Sequence, residues 1–266
     1  MAQLPNILSG ITINRAEVWV TNKTGQTTNT RNIIALTDLG EASKIYNPLW
    51  TPGSTTVPAN AANTLYNIVS GINGVRNIST ATSALDGFGL TGGVDYEKLE
   101  SARLLSPSEY KVNAALGYIS LRSALQPDQV LAVAFEYTYR GTNYQVGEFS
   151  TDRKDNTETL LLKSLKNTAN SPSQGNWDLM MKNVYALGAS NVQKEKFRLD
   201  VKYLSDTTGV YLNYLPEPTL KDKRLIQLLG LDRLDNNNKR NSNAYFDYVE
   251  GYTIDPTDGR VFFTSV

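Results

Sequence analysis

The stretch of residues 128–149, Asp-Gln-Val-Leu-Ala-Val-Ala-Phe-Glu-Tyr-Thr-Tyr-Arg-Gly-Thr-Asn-Tyr-Gln-Val-Gly-Glu-Phe, constrains the fold more than any other part of the chain. Its first half is rich in Val, Phe, Tyr and Thr, which suit a pleated, half-buried surface. Leu131, Val133, Phe135, Tyr137 and Tyr139 fall on one parity and so point to one face of a strand. Gly141 tolerates a positive φ and can close a tight turn after Arg140. Tyr144, Val146 and Glu148 then run back. The pattern predicts a central hairpin in a β-rich domain.

The rest of the chain supports an α+β, β-rich fold: antiparallel sheets or a sandwich built of hairpins, with a few short helices. Residues 11–21 alternate, and residues 31–36 form a second strand beyond a turn at Thr24-Gly25-Gln26. Two strands alone are marginal, so residues 1–45 are expected to add to another sheet, in this chain or in a piece upstream of it. Residues 46–93 read as loop and helical linker. Leu65, Ile68, Val69 and Ile72 form a helical stripe there, and the glycines of 87–93 suggest a joint. Residues 94–266 read as a β-rich domain with short helices. Within it, 95–105, 157–166 and 219–229 carry apolar spacing that suits helices, and 197–204 alternates as a strand. Residues 177–184 fit either form.

A structural unit recurs. Tyr110-Lys-Val-Asn113-Ala-Ala-Leu-Gly117 matches Tyr252-Thr-Ile-Asp255-Pro-Thr-Asp-Gly259, each followed by an apolar-rich strand. Asn113 or Asp255 is expected to open a turn through its side chain, and Gly117 or Gly259 to close it at positive φ. Tyr203-Leu-Ser-Asp206-Thr-Thr-Gly209 is a looser version.

The chemistry within reach is narrow. The 266 residues contain no Cys and no His, which removes thiol nucleophiles, imidazole bases and thiolate or imidazole metal sites together. The 26 basic and 26 acidic residues cancel, and no basic run stands out, so nucleic acid is not an expected partner. No apolar run approaches the ~20 residues of a membrane helix, and the first residues show no signal-peptide pattern. The loop Asp232-Arg-Leu-Asp235-Asn-Asn237-Asn-Lys-Arg is dense in hard oxygen ligands, so Asp232, Asp235 and Asn237 are the calcium candidates. It departs from an EF-hand, however, with Lys239 at a ligand place, and a polar loop of local Asx turns explains it as well. Glu136 and Glu148 sit on opposite arms of the central hairpin, where a carboxylate pair would suit glycoside hydrolysis. Without anything to raise a pKa, they read better as solvent-facing side chains. Asp95, Glu97 and Glu100 fit the acidic first turn of a helix. No catalytic, cofactor-binding or metal residue is assigned.

Several phrases carry a resemblance: Ile13-Asn-Arg-Ala-Glu-Val-Trp-Val-Thr-Asn22, Glu100-Ser-Ala-Arg103, Leu116-Gly-Tyr-Ile-Ser-Leu121, Val130-Leu-Ala-Val-Ala134, Tyr144-Gln-Val-Gly-Glu-Phe149, Trp177-Asp-Leu-Met-Met-Lys-Asn-Val-Tyr185 and Phe246-Asp-Tyr-Val-Glu-Gly-Tyr252. Their order and number resemble the SprA/Sov proteins, giant outer-membrane translocons of the Bacteroidetes type IX secretion system, also tied to gliding motility. The resemblance implies a non-catalytic, soluble piece of a much longer barrel-forming chain, facing the periplasm or the cell surface. It implies no cofactor. The implied partners are other type IX components, transiting secreted proteins and the rest of the barrel chain. Family members often carry Asp-Gly or Asp-Pro in the 236–243 loop, where this chain has Asn, Lys and Arg. A carbohydrate-binding or adhesive β-sandwich of a cell-surface protein is the alternative, and a carboxylate glycosidase a third.

Overall fold

The computed structural model describes residues 9–169 and 171–263. They divide into two compact units, one spanning Gly10–Met180 and the other residues 181–263 together with Ser9. The division therefore falls near residue 180, whereas the sequence suggested a joint at 87–93. The fold is β-rich α+β, with several antiparallel sheets and three short helices among the described residues.

The first unit is built on one six-stranded sheet. Its strands are β1 (Ile11–Val20), β2 (Thr30–Leu36), β3 (Tyr96–Leu104), β6 (Leu131–Tyr139), β7 (Thr142–Val146) and β8 (Leu160–Lys166). The order is β1-β3-β2-β8-β6-β7, and β1 also pairs antiparallel with β6 along its length. The pairing circuit β1-β3-β2-β8-β6 therefore closes on itself as a small barrel, not a sandwich of two sheets. Closure satisfies edges that an open sheet would leave exposed. The strands of residues 1–45 thus find their partner sheet within this chain.

Residue parity shows why the ring holds. Trp19, Ile33, Ala35, Leu99, Ala102, Ala132, Ala134, Leu160 and Leu162 form one buried cluster with Val130 and Phe149, and every strand of the ring contributes to it. This is the barrel interior, and its small side chains leave room for Trp19. The opposite parity is covered from outside. Ile34, Leu36 and Leu161 pack with Leu65 and Val69 of α1 (Leu65–Ser70) and Ala81 and Leu85 of α2 (Ile78–Gly87). Val18, Val20, Leu131 and Val133 pack with Leu105, Tyr110, Ile119 and Leu121, mostly from the hairpin of β4 (Tyr110–Asn113) and β5 (Tyr118–Leu121).

Two stretches with helical spacing are strands, each for a physical reason. β8 runs parallel to β2, and Leu160, Leu161 and Leu162 are all buried. A strand covered on both faces loses its alternation, so its sequence gives no period-two signal. In β3, Tyr96, Leu99 and Ala102 are buried three residues apart. Tyr96 and Leu99 are buried on opposite faces, and the step from Leu99 to Ala102 comes from a bulge: Glu100 and Ser101 lie opposite Asn32 alone, and Ser101 takes φ +49. The Ser101 N–H donates to Asn32 Oδ1 at 3.0 Å. Asp95, Glu97 and Glu100 therefore do not start a helix.

The second unit carries less regular structure. β9 (Val184–Ala186), β12 (Ile254–Asp255) and β13 (Arg260–Phe262) form a three-stranded sheet, and β10 (Tyr203–Leu204) pairs with β11 (Tyr211–Leu212). The strand expected at 197–204 reduces to β10. The helix expected at 219–229 reduces to α3 (Leu225–Leu228), and residues 175–179 form a short 3-10 helix in the first unit. Leu225, Ile226, Leu231, Leu234, Tyr252, Ile254, Val261 and Phe262 are buried.

Candidate functional site

The central hairpin is tighter than its sequence required. Tyr139 pairs with Thr142, leaving Arg140 (φ +51) and Gly141 (φ +78) as a two-residue turn with both residues left-handed, the type I′ geometry. Glu136 faces Gln145 across the hairpin, so Glu136 and Glu148 are not cross-strand neighbours and form no carboxylate pair.

Glu148 is not solvent-facing; it is 2% exposed. Gly147, at φ +76, lies so close to β6 that an added Cβ would meet Val133 O at 3.1 Å, and this close turn carries the next side chain inward. There the Glu148 carboxylate meets four donors. Arg76 donates through both terminal nitrogens, at 2.6 and 2.8 Å, in a bidentate pair. Arg153 and the Tyr66 hydroxyl each donate at 2.9 Å to Oε1, and the Leu161 N–H donates at 2.9 Å to Oε2. Burial works against the charge, but the bonds from Arg76, Arg153 and Leu161 outweigh it and hold the carboxyl below the ordinary glutamate range. Arg76 also donates to Thr159 O at 3.0 Å, and the Thr159 N–H returns a bond to Arg76 O at 2.9 Å. One carboxylate thereby ties α1, the α1–α2 loop, β8 and the 147–159 loop to each other. Its lone pairs are committed, which suits a clamp and not a general base.

A second buried polar group sits where the end of β2 meets the middle of β8. Lys163 Nζ donates to Thr37 O and, at 2.8 Å, to Glu41 Oε1. Burial pulls the Lys163 pKa down against the attraction of Glu41. Asp38, 3% exposed, accepts from the Asn47 and Tyr46 N–H groups at 2.8 and 3.2 Å through Oδ2, while its Oδ1 has no partner. Burial raises its pKa, opposed by those two amides. Asn63 donates to the carbonyls of Asp38 and Glu41, each at 2.8 Å, and so fixes the loop that carries both acids.

A third group holds the 149–158 loop. Arg31 donates to Ser150 O, Asn156 Oδ1, Asp155 O and Glu158 O at 2.9–3.3 Å. Glu17 pairs with Arg15 and accepts from Ser150 N and Oγ at 2.9 Å. None of Glu148, Lys163, Asp38 or Arg31 stood out in the sequence as a buried polar residue. The nearest signal is the inward-turning Gly147-Glu148 after an alternating strand.

The calcium candidates are spoken for by their own loop. Asp232 accepts from Ser242 Oγ, Asn243 N and Ala244 N at 2.6–2.8 Å, using both oxygens. Asp235 Oδ1 accepts from Asn237 N and Lys239 N at 2.8 and 2.9 Å. The Asp235–Asn237 contact is an Asx turn, whereas Asp232 reaches across the loop to residues 242–244. No group of three or more acidic side chains placed to hold a metal occurs among the described residues.

The turn unit has a common geometry at three places. Gly117, Gly209 and Gly259 take φ of +70, +68 and +58. Asn113 Oδ1 accepts from Leu116 N, and Asp255 Oδ1 from Thr257 N. In the looser version the cap is Ser205, whose Oγ accepts from Thr208 N and whose carbonyl accepts from Gly209 N. In the second unit, Asn191, Val192, Lys194, Glu195, Tyr248 and Pro256 help line an open groove of about 500 Å³.

No protein-family model matches the chain, and no curated protein matches it.

Proposed function

We propose that the chain is a non-catalytic part of a giant outer-membrane translocon of type IX secretion, with a structural and partner-docking role. The ordered set of phrases shared with the SprA/Sov proteins motivates the reading. The observation that carries it physically is the use made of Glu148. The Glu148 carboxylate is saturated by four donors and serves to lock a barrel to α1 and the α1–α2 loop that cover it. Asp232 and Asp235 are likewise spent on turns and loops. Polar groups placed this way support a rigid platform with adaptable surface loops.

In-frame deletion of this segment from its gene in the source organism tests the proposal. Type IX cargo should fall in the medium and accumulate in the periplasm. Unchanged cargo export would overturn it.

A further inference from the structure

We infer that Lys163 and Glu41 form a covalent amide cross-link inside the first unit. The geometry is that of a preassembled condensation site. Lys163 Nζ and Glu41 Oε1 are 2.8 Å apart, and their side chains are 7% and 23% exposed. Lys163 sits on β8 opposite Leu36 at the end of β2, so its Cα cannot wander. The Glu41 backbone is pinned by Asn63 and by its own N–H, which donates to Asp38 O at 3.2 Å. The reacting groups are therefore held together before any bond forms, which is the condition under which intramolecular reactions gain most.

Burial acts on Lys163 and Asp38 in the direction that condensation requires. Burial lowers the Lys163 pKa and so favours a free amine with a nucleophilic lone pair. Asp38 supplies a second carboxyl near the pair; its charge, like that of Glu41, raises the Lys163 pKa against the burial, so a protonated Asp38 favours the free amine. Its raised pKa and unpartnered Oδ1 suit it to carry a proton.

The step balances without an oxidant or an activating co-reactant. The Lys163 nitrogen attacks Glu41 Cδ, one C–N bond forms, and the bond from Cδ to one carboxyl oxygen breaks. Asp38 takes a proton from the nitrogen and passes it to the departing oxygen, which leaves as water. An ammonium and a carboxylate hold three hydrogens between them; one stays on the amide and two leave in the water. Nothing is oxidised or reduced, and Asp38 ends as it began. The link would join the loop after β2 to β8, 122 residues apart in sequence. It is independent of the proposal about secretion.

Mass spectrometry of the purified, folded protein tests this. The intact mass should be lower than the sequence mass by one water, and a protease digest should yield a branched peptide joining the segments that hold Glu41 and Lys163. Protein held in urea from the time of synthesis should keep the full mass. Lys163→Arg should restore the full mass, and Asp38→Asn should slow linkage at least tenfold. A full-mass wild-type protein, folded and aged for days, with Glu41 and Lys163 in separate peptides, overturns the inference. A one-water deficit that persists in Lys163→Arg overturns the assignment of the bond.

Discussion

Replacing Glu148 with Gln isolates the role of the buried carboxylate. The change keeps the side-chain shape but removes the charge that faces Arg76 and Arg153. Glu148 is 2% exposed and Arg76 is 18% exposed, so water can do little to compensate the stranded guanidinium. Breaking a buried pair by removing one partner costs ~3–5 kcal/mol. For a unit of this size, each kcal/mol moves the melting temperature by roughly 2–4 °C, so a loss of roughly 10 °C is expected. The pH dependence gives a second reading. The folded-state pKa of Glu148 lies below its ordinary value of 4.5. Its contribution is therefore complete above the unfolded value and is lost as pH falls through the folded one. Urea unfolding of the wild type should weaken progressively below the ordinary glutamate pKa, and Glu148→Gln should flatten that part of the slope. A destabilisation below ~1 kcal/mol, the range of exposed ion pairs, with an unchanged acid slope, would refute the clamp.

Further perturbations separate the other claims. A Cβ at Gly117 meets nothing within 4 Å, whereas one at Gly259 would lie 1.6 Å from Ala189 O. Gly117→Ala should therefore cost only its left-handed strain, ~1–2 kcal/mol, and Gly259→Ala clearly more in chemical denaturation; equal effects would contradict the turn geometry. Leu160→Ala and Leu161→Ala should each cost ~2–5 kcal/mol, because adjacent residues of β8 are buried on opposite faces; a neutral result at either would mean one face is open. Millimolar calcium should leave the melting temperature of the protein unchanged, since both Asp232 oxygens already accept backbone or hydroxyl donors; a calcium-dependent rise would mean the loop reorganises into a cation site.

What the sequence disclosed and concealed follows from burial. β1 and β6 alternate or carry dense β-branched and aromatic residues, and both were legible. β8 was hidden because Leu160 to Leu162 are buried on both sides, and β3 because Tyr96 and Leu99 are buried on opposite faces and the bulge at Glu100 and Ser101 adds a second three-residue step to Ala102. The turns at Asn113 and Asp255 were legible because Asx caps and left-handed glycines have fixed chemistry. In the third, looser version Ser205 supplies the cap, since a serine can cap as an aspartate does. The clamp was illegible for a different reason. Arg76 and Glu148 lie 72 residues apart in the chain, and only the closed ring brings them together. Local pattern reports a strand carboxylate as exposed unless its tertiary partners are known.

The most direct test of the docking role is photo-cross-linking in living cells. A photoreactive residue replaces Tyr211, which is 65% exposed on β11. The account predicts adducts with another type IX component or a transiting secreted protein, recovered from the outer-membrane fraction. Full incorporation of the probe into folded protein, with no adduct to any translocon component or cargo, would contradict it.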